Sequence, residues 1–497
     1  MAQAQKITPR AQDFSEWYND VIMHAELADY SPVRGCMVIR PLGYRIWELM
    51  QGALDGMFKA TGHRNAYFPL FIPMSFLAKE AEHVEGFAKE VALVTHTRLK
   101  ATGKTGAGAV MVDPASALEE PLVVRPTSET IIYAMFAKWI QSYRDLPLLL
   151  NQWANIVRWE FRTRLFLRTT EFLWQEGHTA HASHDEAEAE ARMILGLYRT
   201  FAEEWMAMPV LTGVKTDSER FAGALRTYAI EALMQDNKAL QSGTSHNLGQ
   251  NFAKAFEVKY QTAAGGLDFV WNTSWGVSTR LIGGLIMTHS DDNGLIAPPQ
   301  LAPIQVAIVP IWKSDEEKAQ VSGVGSQVKD ELAKAAIRVE LDLRENMKPG
   351  AKYFDWEAKG VPLRLEIGPR DIAAGQAMAA RRTGGKAPMR LEGLAAAVIA
   401  ALGEIQQGLL AAARERRERH SIRGATKAQF LEFMKGEGGF AYGGFCGRAT
   451  CEAEIKEATS ATIRVLPDPE FRSPEAPATC MWCGAKSVAE AVWAQAY

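Results

Sequence analysis

Residues 158–172 read RWEFRTRLFLRTTEF, and no other stretch constrains the fold as tightly. Arg158 stands two residues before Glu160. A basic tract follows, then Arg168, and Phe172 four residues after that. Side chains two apart on a strand leave the same face, so Arg158 and Glu160 are expected side by side in one cleft. A planar guanidinium grips a phosphate or a carboxylate through paired hydrogen bonds, and an aromatic ring beyond it can stack on a flat base. The stretch predicts a strand–loop–strand that holds a nucleotide without a glycine-rich loop. Arg-x-Glu on an exposed strand is by itself an ordinary solvated ion pair, so the weight falls on its company.

That company is ordered along the chain. Upstream stands Arg125-Pro126-Thr127-Ser128-Glu129-Thr130. Downstream come Gln241-Ser242-Gly243-Thr244-Ser245-His246 and then Thr273-Ser274-Trp275-Gly276-Val277-Ser278-Thr279-Arg280, leading into Leu281-Ile282-Gly283-Gly284. Over nearly its whole length the chain resembles the prolyl-tRNA synthetases of class II, most closely the archaeal/eukaryotic-type branch without the editing insertion. The resemblance implies a mixed α/β protein of three parts. Residues 1–300 would form an antiparallel-sheet catalytic domain, with motif 1 at about 43–73, motif 2 at about 151–178 and motif 3 at about 271–290. Residues 301–405 would form an α/β anticodon-binding domain, and 406–497 a small C-terminal zinc-binding α+β domain.

The resemblance also implies roles. Arg158 would touch both the α-phosphate and the proline carboxylate, and Arg280 would lie near the γ-phosphate; these two carry catalysis. Glu160, Arg168, Gln241, Thr244 and Ser278 would contact ATP, with Phe172 stacked on adenine. Thr127, Glu129 and His246 would bind proline, with Trp174 as an apolar wall. The implied reaction joins L-proline to ATP and then to tRNA(Pro), in a homodimer, with Mg2+ accompanying the ATP. A synthetase for threonine or glycine would share motifs 2 and 3 but differ at Thr127, Glu129 and His246. A catalytically silent relative would lack Arg158 or Arg280, and both are present.

Composition bounds the rest. At 497 residues the chain exceeds one ordinary core. Apolar residues are 47% and charged residues 23%, as in globular proteins. No uninterrupted apolar run reaches the ~18 residues that a membrane helix needs. The polar start, MAQAQKITPRAQDFSEW, has no signal-peptide core, so a cytoplasmic protein is expected. A net charge of −3 leaves RNA contact to local patches, with Arg381, Arg382 and Lys386, or Arg414, Arg416, Arg417 and Arg419, as candidates. Glu366, Arg370 and Asp371 in EIGPRD lie in the implied anticodon-binding domain. Four of five cysteines crowd the C-terminus as Cys446-x4-Cys451 and Cys480-x2-Cys483. This pairing suits a tetrahedral, structural zinc; Cys36 stands alone as a small apolar residue.

Local patterns add specific expectations. Residues 43–60 carry a helical period, and AYFPLFIP after them reads as an extended edge segment, with Pro69 as the motif 1 proline. Residues 97–118 read as a mobile surface insertion. The Gly103-Lys104-Thr105 within them is no phosphate loop, since Arg98 stands where that pattern wants glycine. Thr127 or Ser128 looks like a cap for a helix entering the apolar run that follows. His178, His181 and His184, three apart, suit metal ligation poorly on a helix. LIAPPQLAP at 295–303 is a proline-rich joint before an α/β alternation. The tail AEAVWAQAY reads as a docked short helix with an ordered Tyr497. Between His178 and Trp271 only 92 residues remain, too few for an editing domain, so any proofreading falls to another protein.

Overall fold

The computed structural model describes residues 7–83 and 90–497; the first six residues of the polar N-terminal stretch lie outside the described residues. Alternation builds its centre. Along β2 (Glu171–His181), Phe172, Trp174, Glu176 and His178 all face one cleft. The opposite face carries Gln175, whose amide lies 2.6 Å from the Tyr198 hydroxyl on the covering helix His184–Thr200. Gly177 is obligatory on that face, because a Cβ there would lie 2.1 Å from the Trp275 ring.

Five antiparallel strands form the catalytic centre: β1 (Leu148–Val157), β2, β3 (Arg226–Leu233), β4 (Ala239–Gly249) and β5 (Trp271–Ser278), in the order β3-β4-β5-β2-β1. Arg64–Asn65 adds a parallel edge beyond β1. The 92 residues between His178 and Trp271 are spent on the covering helix, Val210–Val214, β3 and β4, so they belong to the core itself.

Beyond β3 the sheet does not stop. Val210–Val214 pairs with Thr462–Pro467, and Ala489–Ala494, Phe440–Phe445 and Ser421–Arg423 follow, giving eleven strands in one sheet. The C-terminal region is thus an extension of the catalytic sheet. Its tail is the strand Ala489–Ala494, not the expected short helix. Ala491 and Trp493 pack on one side while Val492 and Ala494 pack on the other.

Residues 304–400 make a separate five-stranded sheet. Val339–Leu341, Val306–Pro310 and Leu363–Ile367 run parallel, and Gln376–Arg381 and Lys386–Arg390 are antiparallel. The helix Leu394–Arg419 crosses the anticipated boundary at 405. Leu394, Val398, Ala401 and Leu402 complete this sheet's core, while Ile405 and Leu409 pack on Ala207 and Ile296 of the first region. With 26 residues and an 18-residue window of mean hydropathy 1.5, it is long and apolar enough to cross a membrane, which counting uninterrupted runs did not anticipate. Leucine, isoleucine and valine supply most of that hydropathy, and Glu404, Gln406 and Gln407 interrupt it.

The structure adds detail to two further expectations and overturns a third. Residues 97–118 contain a hairpin, Leu99–Ala101 against Val110–Val112, exposed along both strands. AYFPLFIP is mostly irregular, and Phe71–Pro73 alone pairs, at the edge of a three-stranded sheet. Arg382 is not an RNA contact. Its side chain is 2% exposed, and both terminal nitrogens bond to Asp291, at 2.5 and 2.8 Å, joining the second sheet to the segment after the last catalytic helix. Arg381 and Lys386 are likewise paired, with Glu404 and Glu366.

Removing one partner of a buried ion pair strands the other. Arg382→Leu should therefore cost roughly 3–5 kcal/mol at this junction. Calorimetry should show the 304–400 unit melting apart from the catalytic sheet; a single unshifted transition would refute this.

Candidate active site

The cleft over β2, β4 and β5 is electrically polarised. Arg158, Glu160, Arg168, Phe172, Ser278 and Arg280 meet at one end. Thr127, Glu129, Trp174 and His246 line the same cleft, as do Gln241 and Thr244. Every site residue inferred from the sequence, the cysteines apart, thus converges on one surface.

Arg158 is the first residue past β1, not a strand residue. Pairing nonetheless persists, since its N–H donates to the Thr170 carbonyl at 2.8 Å. Its Nε donates to the Pro126 carbonyl at 3.0 Å, and the guanidinium lies over the Phe172 and Trp174 rings at 5.7 and 5.6 Å. Burial pulls its pKa below the ordinary value, against the attraction of Glu129, Glu176 and Glu160. No carboxylate among the described residues lies within ion-pair distance of it. A held guanidinium whose outer nitrogens lack an anion is prepared to receive one. Glu160 instead binds Arg168 at 2.7 Å. Arg280 opens α2 (Arg280–His289), and its Nε donates to the Leu167 carbonyl at 3.2 Å. Burial, and then the nearby Arg158, depress its pKa.

The other end is anionic. Glu129 is the first residue of α1 (Glu129–Trp139), buried at 4% exposure, and Thr127 donates its hydroxyl hydrogen bond to that carboxylate. Neither Thr127 nor Ser128 caps the helix as local pattern suggested. Ser128 is at the cap position with no capping bond, and its hydroxyl donates to Glu176 at 2.5 Å. An α-amino acid fits this polarity in one direction, ammonium toward Glu129 and carboxylate toward Arg158.

His246 shares a hydrogen bond with the Thr227 hydroxyl at 2.9 Å and packs on Phe221 at 4.6 Å. Burial, then His178, lowers its pKa to about 3, so its imidazole is neutral near pH 7.

Sequence reasoning missed Glu176, which sits beneath the cleft. Burial alone would raise its pKa, but bonds from His178, Ser128 and Gln152 outweigh that and hold it ionised. Strand alternation from Phe172 was the available signal. His178 and His181 lie on a strand rather than a helix, bonded to Glu176 and Thr179. Glu219 and Phe221 reach the cleft from a loop that carries no sequence signal.

Two features border the site. Tyr497 donates its hydroxyl to Asp236 at 2.7 Å and its N–H to the Ala239 carbonyl at 3.1 Å, while Arg164 of the 158–172 loop lies over its ring at 5.5 Å. The tail thus docks on the catalytic unit. Farther off, the sulfurs of Cys446, Cys451, Cys480 and Cys483 lie within 4.8 Å of one another, with pairs at 3.5 and 3.7 Å. Zinc at ~2.3 Å from four thiolates sets its sulfurs about 3.8 Å apart, so the donor set fits. Cys36 is half-buried and distant in sequence from the four.

The comparisons with known proteins agree along the whole chain. Residues 112–289 match the tRNA synthetase class II core domain (G, H, P, S and T), 305–400 the anticodon binding domain, and 428–497 the prolyl-tRNA synthetase C-terminal family. The proline–tRNA ligase of Porphyromonas gingivalis (strain ATCC 33277) is 56% identical over 494 residues, 99% of each chain. That of Chlorobium phaeobacteroides (strain BS1) is 55% identical over 500 residues, covering 99% of this chain and all of the relative. The crystal structure of prolyl-tRNA synthetase from Cryptosporidium parvum, complexed with halofuginone and AMPPNP, superposes with a TM-score of 0.90 at 38% identity over 99% of both chains.

Elemental analysis should find about one zinc per chain. Cys480→Ser should lose it and lower the melting temperature of the C-terminal strands; a metal-free wild type of full stability would exclude the site.

Proposed function

Because this chain belongs to the prolyl-tRNA synthetases of class II, and is a proline–tRNA ligase, we propose a division of labour among the residues of its cleft. The observation that carries it is the half-buried fork of Arg158, held at its Nε and facing the Thr127–Glu129 turn. Glu129 and Thr127 take the secondary ammonium of L-proline, and Trp174 and His246 wall its ring. Arg158 takes the carboxylate on one side and the α-phosphate of ATP on the other. Phe172 stacks on adenine. Glu160, Arg168, Gln241, Thr244 and Ser278 fix the nucleotide, and Arg280 meets the γ-phosphate.

So placed, a proline carboxylate oxygen attacks the α-phosphorus, pyrophosphate leaves, and prolyl-adenylate forms. The terminal ribose hydroxyl of tRNA(Pro) then attacks the activated carbonyl and releases AMP. No protein nucleophile is needed. Alignment and charge stabilisation supply the rate, and alignment alone reaches ~7–11 kcal/mol in well-oriented systems. Mg2+ bound with ATP supplies further neutralisation of the polyphosphate.

Further proposals frame this chemistry. The catalytic and anticodon-binding domains divide near residue 300, the helix Leu394–Arg419 that spans residue 405 leads from the anticodon-binding domain into the C-terminal one, and the four cysteines hold a structural zinc. The branch is the archaeal/eukaryotic-type one, supported by the 92 residues that the core consumes between His178 and Trp271. Two copies pair across motif 1, supported by the exposure of Tyr67 and Phe71 there. The enzyme works in the cytoplasm, away from membranes.

ATP–pyrophosphate exchange across the twenty amino acids tests the reading. Proline should drive it, with alanine and cysteine weak, since small apolar pockets separate such side chains by only ~1–3 kcal/mol per methylene. Exchange with threonine above that with proline would overturn it. Arg158→Lys should remain nearly as inactive as Arg158→Ala, because an ammonium cannot serve two anions as a fork does. Near-normal exchange in the lysine variant would reject the shared role.

A further inference from the structure

Arg125 is 1% exposed, and every acceptor that it meets among the described residues is neutral. Its Nε donates to the Asn155 carbonyl at 2.9 Å, one terminal nitrogen to the Phe68 carbonyl at 2.7 Å, and the other to the Asn155 side-chain oxygen at 2.9 Å. Its backbone repeats the pattern, donating to the Leu70 carbonyl at 2.9 Å and accepting from the Val157 N–H at 3.2 Å. The guanidinium also lies 5.6 Å from the centre of the Tyr67 ring. One residue therefore fastens three segments, 67–70, 125–129 and 155–158. The next carbonyl along, that of Pro126, is the one that holds Arg158.

We propose that Arg125 is a positioning residue for proline activation: it fixes the distance between the Thr127–Glu129 turn and Arg158 without touching substrate, and ties that distance to segment 67–70. This rests on the assignment of the proline ammonium to Glu129 and of its carboxylate to Arg158. The geometry explains why a guanidinium is needed here. Its acceptors lie in different directions on two segments, and a rigid planar fork reaches all three while an ammonium on a flexible stem does not. Neutral acceptors also mean that holding Arg125 brings no carboxylate of its own between Glu129 and Arg158.

The test is ATP–pyrophosphate exchange with proline and ATP varied separately, on Arg125→Lys, Arg125→Gln, Asn155→Ala and, as a control, Glu129→Gln. Arg125→Lys should raise the KM for proline roughly tenfold or more and lower kcat, as misplacement by an ångström does, with the KM for ATP held within about twofold. Asn155→Ala, which removes one acceptor and keeps the charge, should shift the same parameter in the same direction by less. It decides the matter alone if the Arg125 variants do not fold. A fall in the fraction of active sites with both KM values unchanged would make Arg125 merely structural and overturn the proposal, as would equal rises in both KM values. A raised proline KM in Glu129→Gln beside normal values in Arg125→Lys and Asn155→Ala would overturn this proposal only. An unchanged proline KM in Glu129→Gln would overturn the underlying assignment and this proposal with it.

Discussion

Guanidinium groups buried or half-buried at the cleft, held by carbonyl oxygens and not neutralised by carboxylates, are the constraint around which the catalytic half is organised. A cation removed from water demands compensation. Arg158, Arg280 and Arg125 obtain it from the carbonyls of Pro126, Leu167, Phe68 and Asn155. Carbonyls orient a guanidinium and leave its charge intact, so the cleft keeps a positive end into which phosphates and a carboxylate can come. Arg382 shows the contrast. Paired on both nitrogens with Asp291, it is spent on cohesion and has nothing left for a ligand.

The sheet exists to keep those carbonyls in place. β1 and β2 deliver the loop between them at fixed spacing, and β4 and β5 bring Gln241, Thr244 and Ser278 across from the far side. Loose ends are tied from outside the sheet: Tyr18 donates its hydroxyl to the Leu165 carbonyl of that loop at 2.7 Å, and Arg164 lies between the Tyr18 and Tyr497 rings. The polar floor under β2, with Glu176 held by Ser128, Gln152 and His178, is fully bonded and so rigid.

Much of this was legible in the sequence wherever chemistry demanded particular residues at particular spacings. The site residues from Thr127 to Arg280 meet in one cleft, and the four cysteines meet in one cluster. What stayed hidden depends on partners distant in sequence. Asp291 removes Arg382 from the surface across 91 residues. Glu176 draws the Ser128 hydroxyl away from the capping bond that local pattern favours. The tail read as a helix because a strand buried on both faces is a continuous apolar run, without the alternation that betrays a half-exposed one. The hairpin in 97–118 was masked by its glycines and alanines, although Leu99, Val110 and Val112 are ordinary strand residues.

The shared sheet has a consequence for how this protein is made. Val210–Val214 takes its outer neighbour from Thr462–Pro467, which lies 248 residues further along counting from Val214 to Thr462. Synthesis adds ~5–20 residues per second, so that edge stands open for many seconds after the catalytic strands have left the ribosome. An unpaired edge is a template for the wrong partner, and crowded nascent chains offer many. Ala489–Ala494, translated after every other strand of this sheet among the described residues, is also the one that sits between Thr462–Pro467 and Phe440–Phe445. Biogenesis of the sheet therefore waits for residues 489–494, and a chain released before them carries an open seam in the middle of its outer half.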